Sequence, residues 1–138
     1  MVCTKYIQIK TKGETDIIDI TSKVENEIVQ SNLNNGVITI FTPSSTSGVT
    51  TIEYEQGCLK DLKRFFEETI SSSREYEHNF RWGDGNGHSH IRASLLGPSV
   101  TVPVINGKMA LGTWQQIIFV DFDIRARGRR LILQMVGD

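Results

Sequence analysis

Cysteine and proline are scarce in this chain, which has two cysteines and three prolines. Cys3 and Cys58 are too few to form a disulfide scaffold, so both are expected to remain buried or idle thiols. Familiar catalytic fingerprints are missing as well. The sequence contains no Gly-x-Ser-x-Gly nucleophile elbow, no P-loop and no dinucleotide-binding glycine motif. These absences exclude a small disulfide-rich protein and argue against the commonest nucleotide-binding and serine-hydrolase sites.

A strong charge of one sign is also lacking, because the formal net charge is -1 at pH 7. Such a chain has no global field that would attract nucleic acid or an anionic membrane. No apolar run approaches the roughly 20 residues that span a bilayer. The first residues, MVCTKYIQIK, carry no apolar signal-peptide core. We therefore expect a cytoplasmic protein with neither nucleic-acid nor membrane partners.

With 138 residues, the chain is expected to form a single domain over residues 1–138 with a hydrophobic core of its own. Alternation of apolar and polar residues predicts most of the strands, and a continuous β-branched run, GVITIFT, predicts a central strand buried on both faces. The second strand is expected to pair with the first as a hairpin, and Asn106-Gly107 predicts a tight type I′ turn. The predicted strands are 6–10, 16–20, 36–42, 50–54, 99–105, 108–111, 114–123 and 129–136.

Two main helices and a short third are predicted. Ser22 and Glu25 are spaced as a capping box, which places a helix from there to about Ser31. Residues 56–70 form the strongest helical pattern, with one apolar stripe made by Leu59, Leu62, Phe66 and Ile70. Residues 91–96 are expected to form the short helix. The fold class is therefore α+β, with an antiparallel or mixed sheet.

The stretch NFRWGDGNGHSHIRASLLG, residues 79–97, is the best candidate for a functional site. All three histidines, His78, His88 and His90, lie in or beside it. Imidazoles are common ligands of zinc and other divalent metals, so these three are candidate metal ligands. A helix starting near Ser89 would instead point His88 and His90 about 200° apart. The alternative is that His88 caps the helix and His90 only forms a hydrogen bond.

Two acidic residues are candidates for acid–base catalysis. Asp84 lies in the glycine-rich loop, where it and Asn86 either orient the histidines or satisfy backbone groups of a turn. Glu53 follows a hydroxyl-rich loop and is either a general base or an exposed glutamate at a strand end.

Several polar groups are candidate substrate contacts. Ser44 and Thr46 lie in the hydroxyl-rich loop, where no neighbouring base supports a nucleophilic role. Thr113 and Gln115 lie at a Gly-Thr-Trp-Gln break between strands, which is a place where side chains are often redirected. An arginine-rich turn is either a phosphate contact or a solvated hairpin tip. Its members are Arg125, Arg127, Arg129 and Arg130.

Three segments make the chain resemble the YjbQ-like family, also called the secondary thiamine-phosphate synthase family. They are Tyr76-Glu77-His78, the run HIRASLLG at residues 90–97, and LGTWQ at residues 111–115. The resemblance covers nearly the whole chain and implies a compact α+β domain with an antiparallel, sandwich-like core. It also implies homotrimers and a histidine-bound metal, expected to be zinc, near an anion-docking site.

The resemblance also assigns individual residues. His78 and His90 match the family's histidines, and Glu53 matches its acidic position after the loop. Most members carry Pro-His-Thr-Thr where this chain has Pro43-Ser44-Ser45-Thr46, so Ser44 replaces a histidine. That replacement either removes a ligand or lets His88 take its place.

Two functions follow as hypotheses. The first is a metal-dependent enzyme acting on a small phosphorylated molecule, with thiamine-phosphate synthase as a secondary activity and with Arg92 and Arg125 among the phosphate contacts. The second is a non-catalytic oligomer that binds a metal or a small anion.

Overall fold

The computed structural model describes residues 1–138 and contains eight strands and four helices. The strands are β1 (Val2–Lys10), β2 (Asp16–Asp19), β3 (Gly36–Phe41), β4 (Ser47–Ile52), β5 (Ser99–Ile105), β6 (Lys108–Met109), β7 (Gln116–Asp121) and β8 (Gly128–Gly137). The helices are α1 (Thr21–Ser31), α2 (Gln56–Thr69), α3 (Glu77–Trp82) and α4 (Gly87–Leu96). The α+β class is confirmed. None of these helices has the length and apolar character needed to cross a membrane.

The strands form two antiparallel sheets that pack in layers. One sheet has the order β1-β8-β3-β5-β6 and the other the order β2-β7-β4. Side chains of both sheets and of α1 share the larger hydrophobic core, which includes Val24, Ile38 and Phe119. A smaller core joins the opposite face of the three-stranded sheet to α2 and α4, through Phe66, Ala93 and other residues. The smaller sheet is therefore the middle layer, with a sheet on one side and helices on the other.

The strand buried on both faces is β7, and the prediction of such burial for residues 36–42 is wrong. Ile117 and Phe119 enter the larger core, whereas Ile118 and Val120 enter the smaller one. β3 is central in its own sheet, as predicted, but only one of its faces is covered. Val37 and Phe41 are each 39% exposed on the uncovered face. A β-branched run thus reports strand propensity and does not show how many layers cover the strand.

The predicted hairpin between the first two strands is also wrong. β1 pairs with β8, and β2 pairs with β7 in the other sheet. In the turn between these two strands, Gly13, Glu14 and Thr15 have φ values of 81°, 55° and 62°, respectively. Three successive residues with positive φ turn the chain from one sheet into the other, so the two strands never meet.

The helix ends differ in part from the sequence prediction. The carboxylate of Asp19, rather than Ser22, accepts hydrogen bonds from the backbone N–H and hydroxyl of Thr21, so the Ser22–Glu25 capping box does not form. The apolar stripe of α2 packs as predicted, and the side chain of Glu55 caps that helix. Helix α3 has no counterpart among the predicted elements. The predicted short helix begins earlier, at Gly87, and so includes His88 and His90.

A buried ion pair connects the two sheets where β7 and β8 come together. Asp121 is fully buried, and its carboxylate accepts hydrogen bonds from Nε and Nη2 of Arg129, both at 2.9 Å. The hydroxyl of Thr11, just beyond β1, donates to the same carboxylate at 2.7 Å. The backbone N–H of Asp123 also donates to this carboxylate, at 3.1 Å. This carboxylate thus satisfies groups from three separate segments of the chain.

We predict that Asp121→Ala lowers the free energy of unfolding by about 3–5 kcal/mol, because the variant leaves a largely buried guanidinium without its partner. The measurement is urea denaturation followed by circular dichroism. Asp61→Ala is the control, because Asp61 pairs with Arg64 on the exposed side of α2, and its loss should cost less than about 1 kcal/mol. Equal urea midpoints for the two variants would contradict the structural role of Asp121.

Candidate functional site

A polar cleft of about 470 Å³ lies where three segments meet, and none of its lining residues is hydrophobic. The loop between β3 and β4 contributes Ser44 and Thr46. The glycine-rich stretch and the start of α4 contribute Asp84, Asn86 and His90. The turn between β7 and β8 contributes Asp123, Arg127 and Arg129. The structure therefore brings together five of the predicted site residues: Ser44, Thr46, Asp84, Asn86 and His90.

Buried polar groups hold the hydroxyl loop in place. Thr46 is buried, and its hydroxyl donates to Asp123 at 3.1 Å and accepts from Nη2 of Arg129 at 2.8 Å. The backbone N–H of Thr46 donates to the hydroxyl of Ser44 at 3.2 Å. The loop is therefore fixed to the Asp121–Arg129 pair, and its hydroxyls are positioned before any ligand arrives.

The charged side chains of the cleft differ in their exposure and in how firmly other residues hold them. Burial alone would raise the pKa of Asp123, but hydrogen bonds from the Arg125 backbone N–H and the Thr46 hydroxyl hold that pKa below its ordinary value. Asp123 is therefore ionised at neutral pH. Arg129 is 15% exposed and committed to Asp121, whereas Arg127 is 43% exposed and touches Asp123 at 3.3 Å. Arg127 is thus the cation of this cleft with the most freedom to meet an anion.

His78, Asp84 and His90 form a small cluster at one end of the cleft. The ring centroids of His78 and His90 are 4.4 Å apart. Nδ1 of His78 is 3.4 Å from a carboxylate oxygen of Asp84, which suits an ion pair when the imidazole is protonated. That contact lacks hydrogen-bond geometry, so Nδ1 of His78 has no hydrogen-bond partner. The same nitrogen is also buried from solvent. The carboxylate of Asp84 instead accepts the backbone N–H of Asn86 at 3.1 Å.

His88 does not join the other two histidines. It is buried on another face of α4 and lines a second cavity, between α2 and α4. Side chains two residues apart on a helix point about 200° away from each other, so His88 and His90 cannot face one point. Burial lowers the pKa of His88, and the nearby charge of Arg92 lowers it further, so its ring is neutral at neutral pH. The three-histidine ligand set is not assembled within the chain.

A zinc site needs three or four protein ligands around one point. No group of three His, Cys, Asp or Glu side chains in the chain is arranged to hold a metal ion. The sealed nitrogen of His78 and its close contact with His90 are the features that favour a ligand there. The residues present therefore fit two imidazole ligands, but not a complete site made by one chain.

The remaining predicted residues lie outside the cleft. Arg92 is buried beside His88 in the second cavity. Thr113 is exposed, and the side chain of Gln115 bonds to Thr51 and to the N–H of Gly112. Glu53 is exposed just past the end of β4. Arg125 is exposed and does not line the cleft, although its backbone N–H donates to Asp123.

Sequence reasoning missed Asp121 and Asp123. Both lie in the apolar segment IIFVDFDI, where each acid interrupts a buried run. Charged residues are almost never fully buried without a partner, so that interruption was the signal for a buried polar network. The arginine partners, Arg127 and Arg129, were recognised only as members of a basic turn.

The similarity to known proteins extends over nearly the whole chain. The sequence profile of the family described as "UPF0047 protein YjbQ-like" matches residues 5–138. A UPF0047 protein of Methanothermobacter thermautotrophicus is 40% identical over 99% of this chain and 93% of its own length. The UPF0047 protein YugU of Bacillus subtilis is 35% identical over 96% of this chain and 98% of its own length.

Solved structures agree with this match. The crystal structure of a YbjQ-like protein of unknown function from Sulfolobus solfataricus superposes with a TM-score of 0.95 and 32% identity. That alignment covers 100% of this chain and 99% of the other. An uncharacterised YjbQ/UPF0047 protein from Clostridium acetobutylicum gives a TM-score of 0.88 at 31% identity, over 96% of this chain and 99% of the other. On the family profile, the relatives and the fold together, the chain belongs to the UPF0047 (YjbQ-like) family.

Proposed function

We propose that the cleft binds a small phosphorylated molecule and acts on it. The observation that carries this proposal is the braced hydroxyl loop facing Arg127. Phosphate oxygens are acceptors, and hydroxyl and guanidinium groups are suitable donors to them. Because Arg129 and Asp123 already hold the loop, binding a phosphate there costs little reorganisation.

The chemistry that these residues support is the departure of a phosphate or diphosphate group. Negative charge that develops on such a group is stabilised by donors positioned in advance, here Arg127 and Ser44. His90 lines the same cleft and is placed to move a proton as a general acid or base. Asp84, beside His78, is the second acid–base candidate of the cleft.

The thiamine-phosphate synthase reaction is one specific form of this proposal. In that reaction the thiazole nitrogen attacks the methylene carbon of a pyrimidine methyl diphosphate, and the carbon–oxygen bond breaks to release diphosphate. The thiazole partner carries its own phosphate, so both reactants present groups that Arg127 and the loop are suited to bind. We keep this reaction as a secondary activity to be assayed.

A divalent metal, zinc in the first instance, is a second candidate. The sealed Nδ1 of His78 and the short distance between the rings of His78 and His90 favour it. A bound zinc ion would supply Lewis-acid stabilisation of phosphate oxygens. His78 and His90 would be its ligands from this chain, and the remaining coordination positions would be filled by the substrate.

Homotrimer formation is proposed alongside these functions. Four apolar side chains on α3 and α4, Phe80, Trp82, Ile91 and Leu95, are between 50% and 69% exposed. Ile91 and Leu95 lie one turn apart and so share one face of α4, and an exposed apolar face is typical of surfaces that bind another protein chain. This surface, which we call the α3–α4 face, is the one that we expect to be covered in an assembly.

For phosphate binding, we expect Arg127→Ala to weaken the affinity for inorganic diphosphate at least about tenfold, since it removes a charge-assisted contact. Isothermal titration calorimetry measures this directly. Arg125→Ala removes the same charge from the same turn, outside the cleft, and should leave the affinity nearly unchanged. Equal losses in the two variants would mean that only the charge of the turn matters, and the absence of binding in the parent chain would refute the proposal.

Turnover separates an enzyme from a binding protein. The parent chain is incubated with phosphate esters, diphosphate esters and the thiamine-phosphate synthase reactants, and the release of phosphate or diphosphate is followed. We expect release that falls at least about tenfold in His90→Gln, because a proton-transfer group contributes a large rate factor. Binding of diphosphate without release from any of these compounds would favour the non-catalytic, anion-binding alternative.

For the metal, we expect about one zinc ion per chain by elemental mass spectrometry, and its loss from a His78→Ala/His90→Ala variant. His88→Gln is the matched control and should keep the metal, since His88 faces another cavity. If the parent chain takes up no metal on dialysis against zinc, the metal candidate fails, whereas the phosphate proposal still stands on its own test.

For the assembly, light scattering of the purified chain should give three times the 15.5 kDa mass of one chain. Ile91→Glu/Leu95→Glu should shift the protein to monomer, because charges would enter the α3–α4 face. Val29→Glu places one charge at a 70% exposed position on α1 and should leave the trimer intact. A monomeric parent chain would exclude the assembly, and an unchanged double variant would place the interface elsewhere.

A further inference from the structure

A second cavity, also of about 470 Å³, opens between α2, α4 and the turn that precedes β2. The residues that matter for its chemistry are Glu14, Thr15, Lys63, Glu67, His88 and Arg92. It is lined almost entirely by polar groups, since only one lining residue is hydrophobic. Its volume lies in the range of small-molecule sites, about 300–1,000 Å³. The proposed function uses none of these residues.

His88 is the clearest sign that this cavity is built for a ligand. The residue is only 5% exposed, and its Nδ1 is sealed from solvent without a hydrogen-bond partner. Only Nδ1 is sealed, so Nε2 is the nitrogen that opens on the cavity, and it too has no partner in the chain. The imidazole therefore has no hydrogen-bond partner within the chain, and its Nε2 is free to form a hydrogen bond with a ligand in the cavity.

Arg92 forms the rigid back wall. Its guanidinium is buried and donates to the carbonyl of Ile70, to the hydroxyl of Thr15 at 3.0 Å and to the carboxylate of Glu67 at 2.8 Å. This hydrogen bond lowers the pKa of Glu67 to about 2, so Glu67 is ionised throughout the neutral range. Four of the five guanidinium N–H groups are used, which leaves one on Nη1.

The turn before β2 lies beside Arg92 and is held in a demanding backbone conformation. Thr15 is β-branched and buried, yet its φ is 62°, and Glu14 next to it has a φ of 55°. Left-handed backbone is rare for a β-branched residue and persists only where surrounding contacts hold it. Here the contact from Arg92 to the Thr15 hydroxyl does so. The walls of the cavity are therefore set before a ligand binds.

The charges that remain free have opposite signs. Glu67 is paired with Arg92, whereas neither Lys63 nor Glu14 takes part in an ion pair. One free ammonium and one free carboxylate at a single polar cavity complement a ligand that carries both charges. A purely anionic ligand would meet Glu14, and a purely cationic one would meet Lys63, so each would be disfavoured by like-charge repulsion.

We propose that this cavity is a second binding site, which takes a small zwitterionic molecule of the size of a free amino acid. The ligand carboxylate would lie toward Lys63, His88 and the spare N–H of Arg92, and the ligand ammonium toward Glu14 and Glu67. The site stands apart from the phosphate cleft, and its existence does not depend on the proposed function.

The test is calorimetric titration of the full chain with the free α-amino acids, one at a time. For each acid that binds, the matching amine without the carboxylate and the matching carboxylic acid without the amine are titrated as well. We expect at least one amino acid to bind, and each of its two single-charge analogues to bind at least about tenfold more weakly, because each loses one charge-assisted contact. If no amino acid binds, or if a single-charge analogue or inorganic phosphate binds as tightly, the proposal is overturned.

Variants then locate the binding. Lys63→Ala should weaken it at least about tenfold, whereas Lys60→Ala, which removes the same charge from an exposed position on the same helix, should not. His88→Gln is a second probe, but it changes a buried residue, so the Lys63 and Lys60 pair decides the outcome if that variant fails to fold. Arg127→Ala should leave amino-acid binding intact. Loss with Arg127→Ala, or equal effects of Lys63→Ala and Lys60→Ala, would overturn the assignment to this cavity.

Discussion

The ion pair between Asp121 and Arg129 is the constraint on which the other features depend. A buried carboxylate is tolerated only when its acceptor positions are filled, and here a guanidinium, a hydroxyl and a backbone N–H fill them. Because these donors come from separate segments, satisfying one charge fixes β7, β8 and the chain just beyond β1 relative to one another. The same guanidinium continues to Thr46, so the hydroxyl loop of the cleft is placed by the element that joins the sheets.

Helix α4 contributes one histidine to the polar cleft and another to the second cavity. It packs against the three-stranded sheet through Ala93, and its first turn presents His90 to the cleft and His88 to the second cavity. The imidazole of His90 is half-buried beside the imidazole of His78, whereas that of His88 is buried beside a guanidinium. Residues that are neighbours in sequence are therefore suited to different ligands, because helical geometry separates them.

Much of the fold could be predicted from the sequence because local patterns determine it. The stripe of α2, the turn at Asn106-Gly107 and most strands follow from periodicity and from residues that tolerate positive φ. Pairing between distant strands could not be predicted, since alternation in β1 and β2 is equally compatible with a hairpin and with separate sheets. For the site, the polar loops were identified, but the partners of Thr46 and the separation of His88 from His90 depend on tertiary contacts between Asp123, Arg129 and α4.

The position of β7 between two hydrophobic cores has a consequence for how the domain opens. Backbone amides in such a strand are shielded on both faces and paired on both edges, with β2 and β4. Opening them requires separation of every layer, so their hydrogen exchange is governed by global unfolding. The chain just beyond β7 carries Asp123 and Arg127 into the cleft. One wall of that cleft is therefore continuous with the strand whose amides we expect to exchange only through global unfolding.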